Sequence, residues 1–175
     1  MLVNLSEAMN RKDEEQHKEV ALEFSEFEML GVTYPVITKS NVSLVLVSHA
    51  PKKVKVTANA KLSLQAPCDR CLEAVELPFD IDFEEEFDFS KSEQERAEEL
   101  DETCYITGFD LDVDKLIREE LLLSFPMKVL CRDDCKGICK VCGNNLNTGE
   151  CGCDRTELDP RMAAIRDIFK NVKEV

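Results

Sequence analysis

Residues 54–64 read VKVTANAKLSL, with an apolar residue at every second position. Val54, Val56, Ala58, Ala60, Leu62 and Leu64 fall on one face of an extended chain, and Lys55, Thr57, Asn59, Lys61 and Ser63 fall on the other. A period of two with one wet face predicts a half-buried β-strand. Downstream the pattern returns, Val75, Leu77, Phe79, Ile81 and Phe83 alternating with Glu76, Asp80 and Asp82. Upstream, NVSLVLVS (41–48) reads as another strand, turned at Ala50-Pro51-Lys52-Lys53 into the first. VALEFSEFEM (20–29) and GVTYPVIT (31–38) carry weaker strand patterns. An antiparallel sheet, possible to curl into an open barrel, is the expected core.

Helical patterns lie beyond it. DLDVDKLIREELLLSFP (110–126) offers Asp110 or Asp112 as a cap, apolar positions at Val113, Leu116, Ile117 and Leu121, and a stop at Pro126. SEQERAEELDE (92–102) is polar throughout and reads as an exposed helical turn or loop. Near the end, Asp159-Pro160 supplies a cap and a first-turn proline, and Met162, Ile165, Ile168, Phe169 and Val172 recur at helical spacing. The expected class is therefore α+β: an antiparallel sheet or open barrel with packing helices and a C-terminal cysteine-rich zinc module. The expected division is 1–126 for the β-rich part with its following helix and 127–175 for the module with the final helix, packed as one unit. A chain of 175 residues, 43% hydrophobic, is long enough for one such core.

Cysteine spacing carries the chemistry. Six of the nine cysteines lie in CRDDCKGICKVCGNNLNTGECGC, residues 131–153. Eight of the nine form close pairs: Cys68-Cys71, Cys131-Cys135, Cys139-Cys142 and Cys151-Cys153. Cys104 stands apart and reads as a small buried hydrophobe. The first thirty residues are charged throughout and lack a long apolar run, so the expectation is a soluble, cytoplasmic protein with no membrane partner. In that compartment thiols stay reduced, and clustered cysteines point to metal. Cys139-Lys-Val-Cys142-Gly143 has the outline of a zinc knuckle, with glycine easing the backbone as the chain turns beneath two sulfurs.

Four pairs suit one or two zinc ions per chain, with iron the main rival for an all-sulfur site. One arrangement joins Cys139, Cys142, Cys151 and Cys153 at one ion and Cys68, Cys71, Cys131 and Cys135 at the other. A second draws Cys131, Cys135, Cys139 and Cys142 together and leaves Cys151 and Cys153 to meet Cys68 and Cys71. Spacing does not choose between them. Four thiolates leave no open coordination position, so either arrangement is structural and not catalytic. His17 and His49 are the only histidines, and both lie far from the cysteine pairs in sequence. With no phosphate-cradling glycine loop, G-x-S-x-G elbow or H-E-x-x-H helix, the chain reads as no enzyme.

The order APCDRCLE, IREELLLSFPMKVLC, CKGICKVCGNNLN, CGC and DPRMAAIRDIF, spread over roughly residues 40 to 170, resembles the YceD family of large ribosomal RNA subunit accumulation proteins. The resemblance implies a bacterial or plastid factor for accumulation or processing of 23S ribosomal RNA, acting by binding. Its partner would be large-subunit rRNA or a pre-ribosomal particle.

Charge bears on that partner. A formal net charge of −14 disfavours general adhesion to nucleic acid. Its distribution is uneven: Lys39 to Arg70 holds six basic residues and one acidic, whereas Glu73 to Glu102 holds two basic and fourteen acidic. Lys53, Lys55 and Lys61 share the wet face of one strand, Lys52 adjoins it, and Lys136 and Lys140 flank the cysteine loop. These six are the candidate RNA contacts, provided hairpin and loop are neighbours. The acidic stretch reads as a solvated strand and loop, or as bait for a basic ribosomal protein. The competing functional class is a zinc-ribbon protein-interaction module outside ribosome assembly.

Overall fold

The computed structural model describes residues 1–90 and 104–153. The turn or loop expected at 92–102 and the final helix expected after Asp159 lie outside the described residues. The chain divides into two compact units, Met1–Pro67 with Ala74–Val129, and Cys68–Glu73 with Leu130–Val175. The short segment Cys68–Glu73 thus groups with the cysteine-rich chain, not with the strands on either side of it.

In the first unit the elements are β1 (Leu2–Asn4), α1 (Ser6–Asn10), β2 (Gln16–Val20), β3 (Glu26–Met29), β4 (Val32–Lys39) and β5 (Val42–Ala50). They continue with β6 (Lys53–Pro67), β7 (Ala74–Asp88), β8 (Ile106–Thr107), β9 (Asp110–Asp112) and α2 (Val113–Ser124). β4 and β5 run in succession along one edge of β6, from Val36↔Leu64 to Ala50↔Lys53. β7 pairs the other edge over its whole length, from Lys53↔Asp88 to Pro67↔Ala74. β2 lies against β5 and β3 against β4, all antiparallel. β5, β6 and β7 thus form a meander, to which β2 and β4 are added out of chain order. β1, β9 and β8 make a separate small sheet.

The alternation predicted for residues 54–64 holds. Val54, Val56, Leu64 and Ala58 are fully buried, and Ala60 and Leu62 nearly so. Burial of a large aliphatic side chain stabilises by about 1.5–3 kcal/mol, so this face alone commits the strand to its register. Ser63 departs from the pattern: it is buried on the otherwise wet face, where its hydroxyl meets that of Thr38 at 2.7 Å. The sheet curls. Phe125 lies 6.1 Å from Phe27 on β3 and 6.0 Å from Phe79 on β7, so one ring lies against two strands that do not pair with each other.

α2 begins where the sequence placed it. The Asp112 carboxylate accepts from the Lys115 N–H, and Val113, Leu116, Ile117 and Leu121 form its buried stripe. The expected packing helices reduce to this one, since α1 has only five residues and no other helix occurs among the described residues. The stretch 20–29 also differs from expectation, for it is broken between Val20 and Glu26. There the Glu23 N–H donates to the Asp114 carboxylate at 2.9 Å and the Phe24 carbonyl accepts from the Lys39 ammonium at 2.8 Å. Side chains satisfy backbone groups that a ladder would otherwise pair.

Candidate metal centres

In the second unit the chain turns twice in the same way. Residues Cys68–Glu73 fold so that the Cys68 N–H donates to the Glu73 carbonyl at 2.8 Å and the Leu72 N–H to the Cys68 carbonyl at 2.9 Å. Residues 139–144 repeat this, Cys139 N–H to the Asn144 carbonyl at 2.8 Å and Gly143 N–H to the Cys139 carbonyl at 2.8 Å. Gly143 sits at φ +75°, as the knuckle outline requires, and its counterpart Leu72 adopts φ +63°. A left-handed leucine costs about 1–2 kcal/mol relative to the right-handed form, so a side chain occupies the position that glycine would fill more cheaply.

Each knuckle contributes two sulfurs to a different cluster. Cys68 and Cys71 meet Cys131 and Cys135; Cys139 and Cys142 meet Cys151 and Cys153. Within each cluster the four sulfurs lie within 4.8 Å of one another. Of the two arrangements left open by spacing, this is the first. In the first cluster Cys68 and Cys135 are 3.9 Å apart and Cys71 and Cys131 are 3.5 Å apart. A tetrahedral ion with metal–sulfur bonds of about 2.3 Å places its sulfurs about 3.8 Å from each other, so the donors could hold such an ion without rearrangement.

Backbone and side-chain donors tune the thiols. Burial pushes the Cys68 thiol up, but N–H groups of Arg70, Cys131 and Cys71 outweigh it and bring it down to about 6. N–H groups of Cys142 and Val141 bring Cys139 down to about 6 in the matching position. The Glu73 N–H favours the Cys71 thiolate, yet burial and the thiols of Cys131, Cys68 and Cys135 push it up to about 12. The Cys142 thiol, burial and the Cys151 thiol push Cys153 up to about 12. The Asn147 amide also lowers Cys135, so in the first cluster the thiolates of Cys68 and Cys135 are favoured while Cys71 and Cys131 are pushed up, and in the second Cys139 is favoured while Cys153 is pushed up.

Residues outside the cysteine pairs complete the first cluster. Asn147 donates its amide to the Cys135 sulfur at 3.3 Å and accepts from the Lys136 N–H at 2.8 Å. Arg70 donates to the Cys135 carbonyl at 2.8 Å, and Asn145 to the Glu73 carboxylate at 2.8 Å. Gly137, at φ +78°, lets the chain pass so close that an added Cβ would lie 2.9 Å from the Arg70 carbonyl oxygen. In the sequence GNNLN signals only a returning loop. Asparagines beside paired cysteines were the available hint of a sulfur ligand's support.

The other candidates are placed as follows. His49 faces the Asp13 carboxylate at 3.1 Å and His17 that of Glu15 at 3.6 Å, both away from sulfur. Cys104 is exposed, not buried, with its thiol donating to Glu119. Of the six lysines, Lys53 pairs with Glu86 and Asp88 at 3.3 and 3.5 Å, Lys55 with Glu84 at 2.7 Å and Lys61 with Asp80 at 2.9 Å. Lys52, Lys136 and Lys140 have no ion-pair partner among the described residues. Lys53 and Lys55 lie at the start of β6, and Lys52 immediately precedes it. No helix among the described residues is long and apolar enough to cross a membrane.

Comparison with known proteins adds relatives. An uncharacterized protein of Mycobacterium tuberculosis, Rv2926c, is 29% identical over 123 residues, 70% of this chain and 59% of that protein. The YlbN protein of Bacillus subtilis is 28% identical over 109 residues, 62% of each chain. A chloroplastic protein of Arabidopsis thaliana, named large ribosomal RNA subunit accumulation protein YCED homolog 1, is 31% identical over 65 residues, 37% of this chain and 20% of that one. The chain thus spans a little under two thirds of the length of the mycobacterial and bacillar relatives. No solved structure matches it. The family described as large ribosomal RNA subunit accumulation protein YceD matches residues 56–169, a stretch that contains both knuckles and both four-sulfur clusters, and this chain belongs to that family.

Proposed function

We propose that this chain is a non-catalytic factor for accumulation of large-subunit (23S) ribosomal RNA, binding rRNA or a pre-ribosomal particle in the cytoplasm. Zinc ions at the two four-cysteine clusters would hold the binding module in shape. The observation that carries the metal part is burial: in the second unit the buried side chains among the described residues are Cys68, Cys71, Cys135 and Cys139. Where the described residues bury sulfur in place of aliphatic side chains, cross-links supply the missing stability, and four thiolates around one ion would provide them. Family membership and the printed names of the plant relatives support the ribosomal part.

Within this reading, Lys136 and Lys140 are the favoured RNA contacts, since the lysines on β6 already face carboxylates. The test is sedimentation of a cell extract. Co-migration with large-subunit precursors, weakened by Lys136→Glu with Lys140→Glu and less by Lys53→Glu with Lys55→Glu, is expected. Migration only in the free-protein fractions, with 23S rRNA unchanged on depletion, would remove the proposal. One observation favours the second reading, a basic protein partner: the wet face of β7 presents Glu76, Asp80, Asp82, Glu84, Glu86 and Asp88 against three lysines of β6. Salt-sensitive binding of a basic ribosomal protein without RNA would favour it.

A further inference from the structure

We propose that the two clusters differ in permanence: Cys68, Cys71, Cys131 and Cys135 form a fixed metal clamp, and Cys139, Cys142, Cys151 and Cys153 form an exchangeable site for a thiophilic divalent ion. The inference rests on the metal reading above and concerns how that reading is regulated. Occupancy of the second site, and with it the shape of the loop 139–153, then follows metal availability while the first site stays filled.

Burial separates the two. In the first cluster Cys68, Cys71 and Cys135 are 0%, 5% and 3% exposed and Cys131 is half-buried. In the second only Cys139 is buried; Cys142 is exposed, and Cys151 and Cys153 are half-buried. An ion closed in by four thiolates leaves by stepwise ligand exchange, and the first step needs an incoming donor or proton to reach a sulfur. Cys142 offers that access. Cys68, Cys71 and Cys135 do not.

Support differs as well. The halves of the first cluster come from sequence segments about sixty residues apart, yet protein contacts already join them. Beyond the Arg70 and Asn145 bonds, the Ile138 N–H donates to the Arg70 carbonyl at 3.0 Å, and the Cys131 N–H donates to the Cys68 sulfur at 3.3 Å. The Cys68 N–H bond to the Glu73 carbonyl, at 2.8 Å, closes the base of the Cys68–Glu73 turn. If one metal–sulfur bond opens here, the freed sulfur stays in place and closes again. The second cluster is closed within one local loop, whose bonds, such as Cys139 N–H to the Asn144 carbonyl at 2.8 Å and the Asn144 amide to the Gly149 carbonyl at 3.4 Å, join near neighbours in sequence.

The experiment uses the full chain loaded with zinc and mixed with excess 4-(2-pyridylazo)resorcinol, reading zinc release by colour. Aliquots are pulsed with N-ethylmaleimide and mapped by peptide mass spectrometry. Two ions per chain should appear, leaving in two phases with rates separated by about tenfold or more, as accessibility governs thiolate reactivity. Cys142, Cys151, Cys153 and Cys139 should be alkylated during the fast phase and Cys68, Cys71, Cys131 and Cys135 during the slow one, with the exposed Cys104, outside both clusters, labelled from the start. Cys153→Ser should lose the fast-leaving ion and keep the slow one. A single release rate, prior labelling of the Cys68 set, or loss of both ions in Cys153→Ser would overturn the inference and leave the metal reading standing. Recovery of no ion after loading would overturn the metal reading itself, and this inference with it.

Discussion

The two units bury different things. The curled sheet closes over a continuous apolar cluster that runs from Val3 through the strands to Leu121 on α2. The cysteine-rich unit buries sulfur. A hydrophobic core needs many residues contributing a little each, whereas four thiolates at one ion concentrate the same task in a few positions. With metal bound, that difference would let a stretch as polar as 131–153 fold, and its integrity should then depend on solution conditions that the sheet ignores.

The sharpest way to break the comparison is to take metal away. Chelation at neutral pH should leave the β-sheet signal in circular dichroism intact while amide protection across residues 131–153 disappears; loss of both together would show one cooperative body. The converse experiment acts on the sheet. Leu46 is fully buried on β5, and Leu46→Ala should cost about 2–5 kcal/mol in denaturant unfolding, through lost burial and the cavity left behind, with metal content per folded chain unchanged.

Gly137→Ala is a smaller perturbation confined to the module. A left-handed alanine costs about 1–2 kcal/mol, and the crowded Arg70 carbonyl adds to that, so zinc affinity at the Cys68 cluster should fall while the midpoint of sheet unfolding stays put. The smallest effect is electrostatic. The Ser90 hydroxyl and N–H, with Lys53, hold the Asp88 carboxyl down at about 2. A carboxylate with a depressed pKa stabilises the fold fully above its ordinary value, and that contribution drains away as pH falls from there through about 2. An NMR titration of Asp88 should show its midpoint in that window, and Ser90→Ala should raise it.

Parts of this were legible in residue order. The alternation at 54–64 and 75–83, the Asp112 cap and the apolar stripe of α2 all depend on near neighbours, and all appear as read. The interruption at 21–25 was not legible, because the bonds to Asp114 and Lys39 come from elsewhere in the chain. Cys104 misled for a similar reason: small apolar residues are usually buried, but Glu119 offers this thiol a surface partner. The lysines of β6 were correctly placed on a wet face. Their neutralisation follows from the register with β7, which sets Lys61 opposite Asp80 and Lys55 opposite Glu86, beside Glu84.

By itself the sequence determined the long strands β4 to β7, the capped helix and the existence of four cysteine pairs, since each is a pattern of period or spacing among near neighbours. Tertiary structure alone decided which pairs share a cluster. Cys68 and Cys71 meet Cys131 and Cys135 where Gly137 lets the returning chain pass close to the Arg70 carbonyl and the Ile138 N–H bonds to it. Ligand sets closed over sixty residues are products of three-dimensional proximity, and spacing carries no record of it.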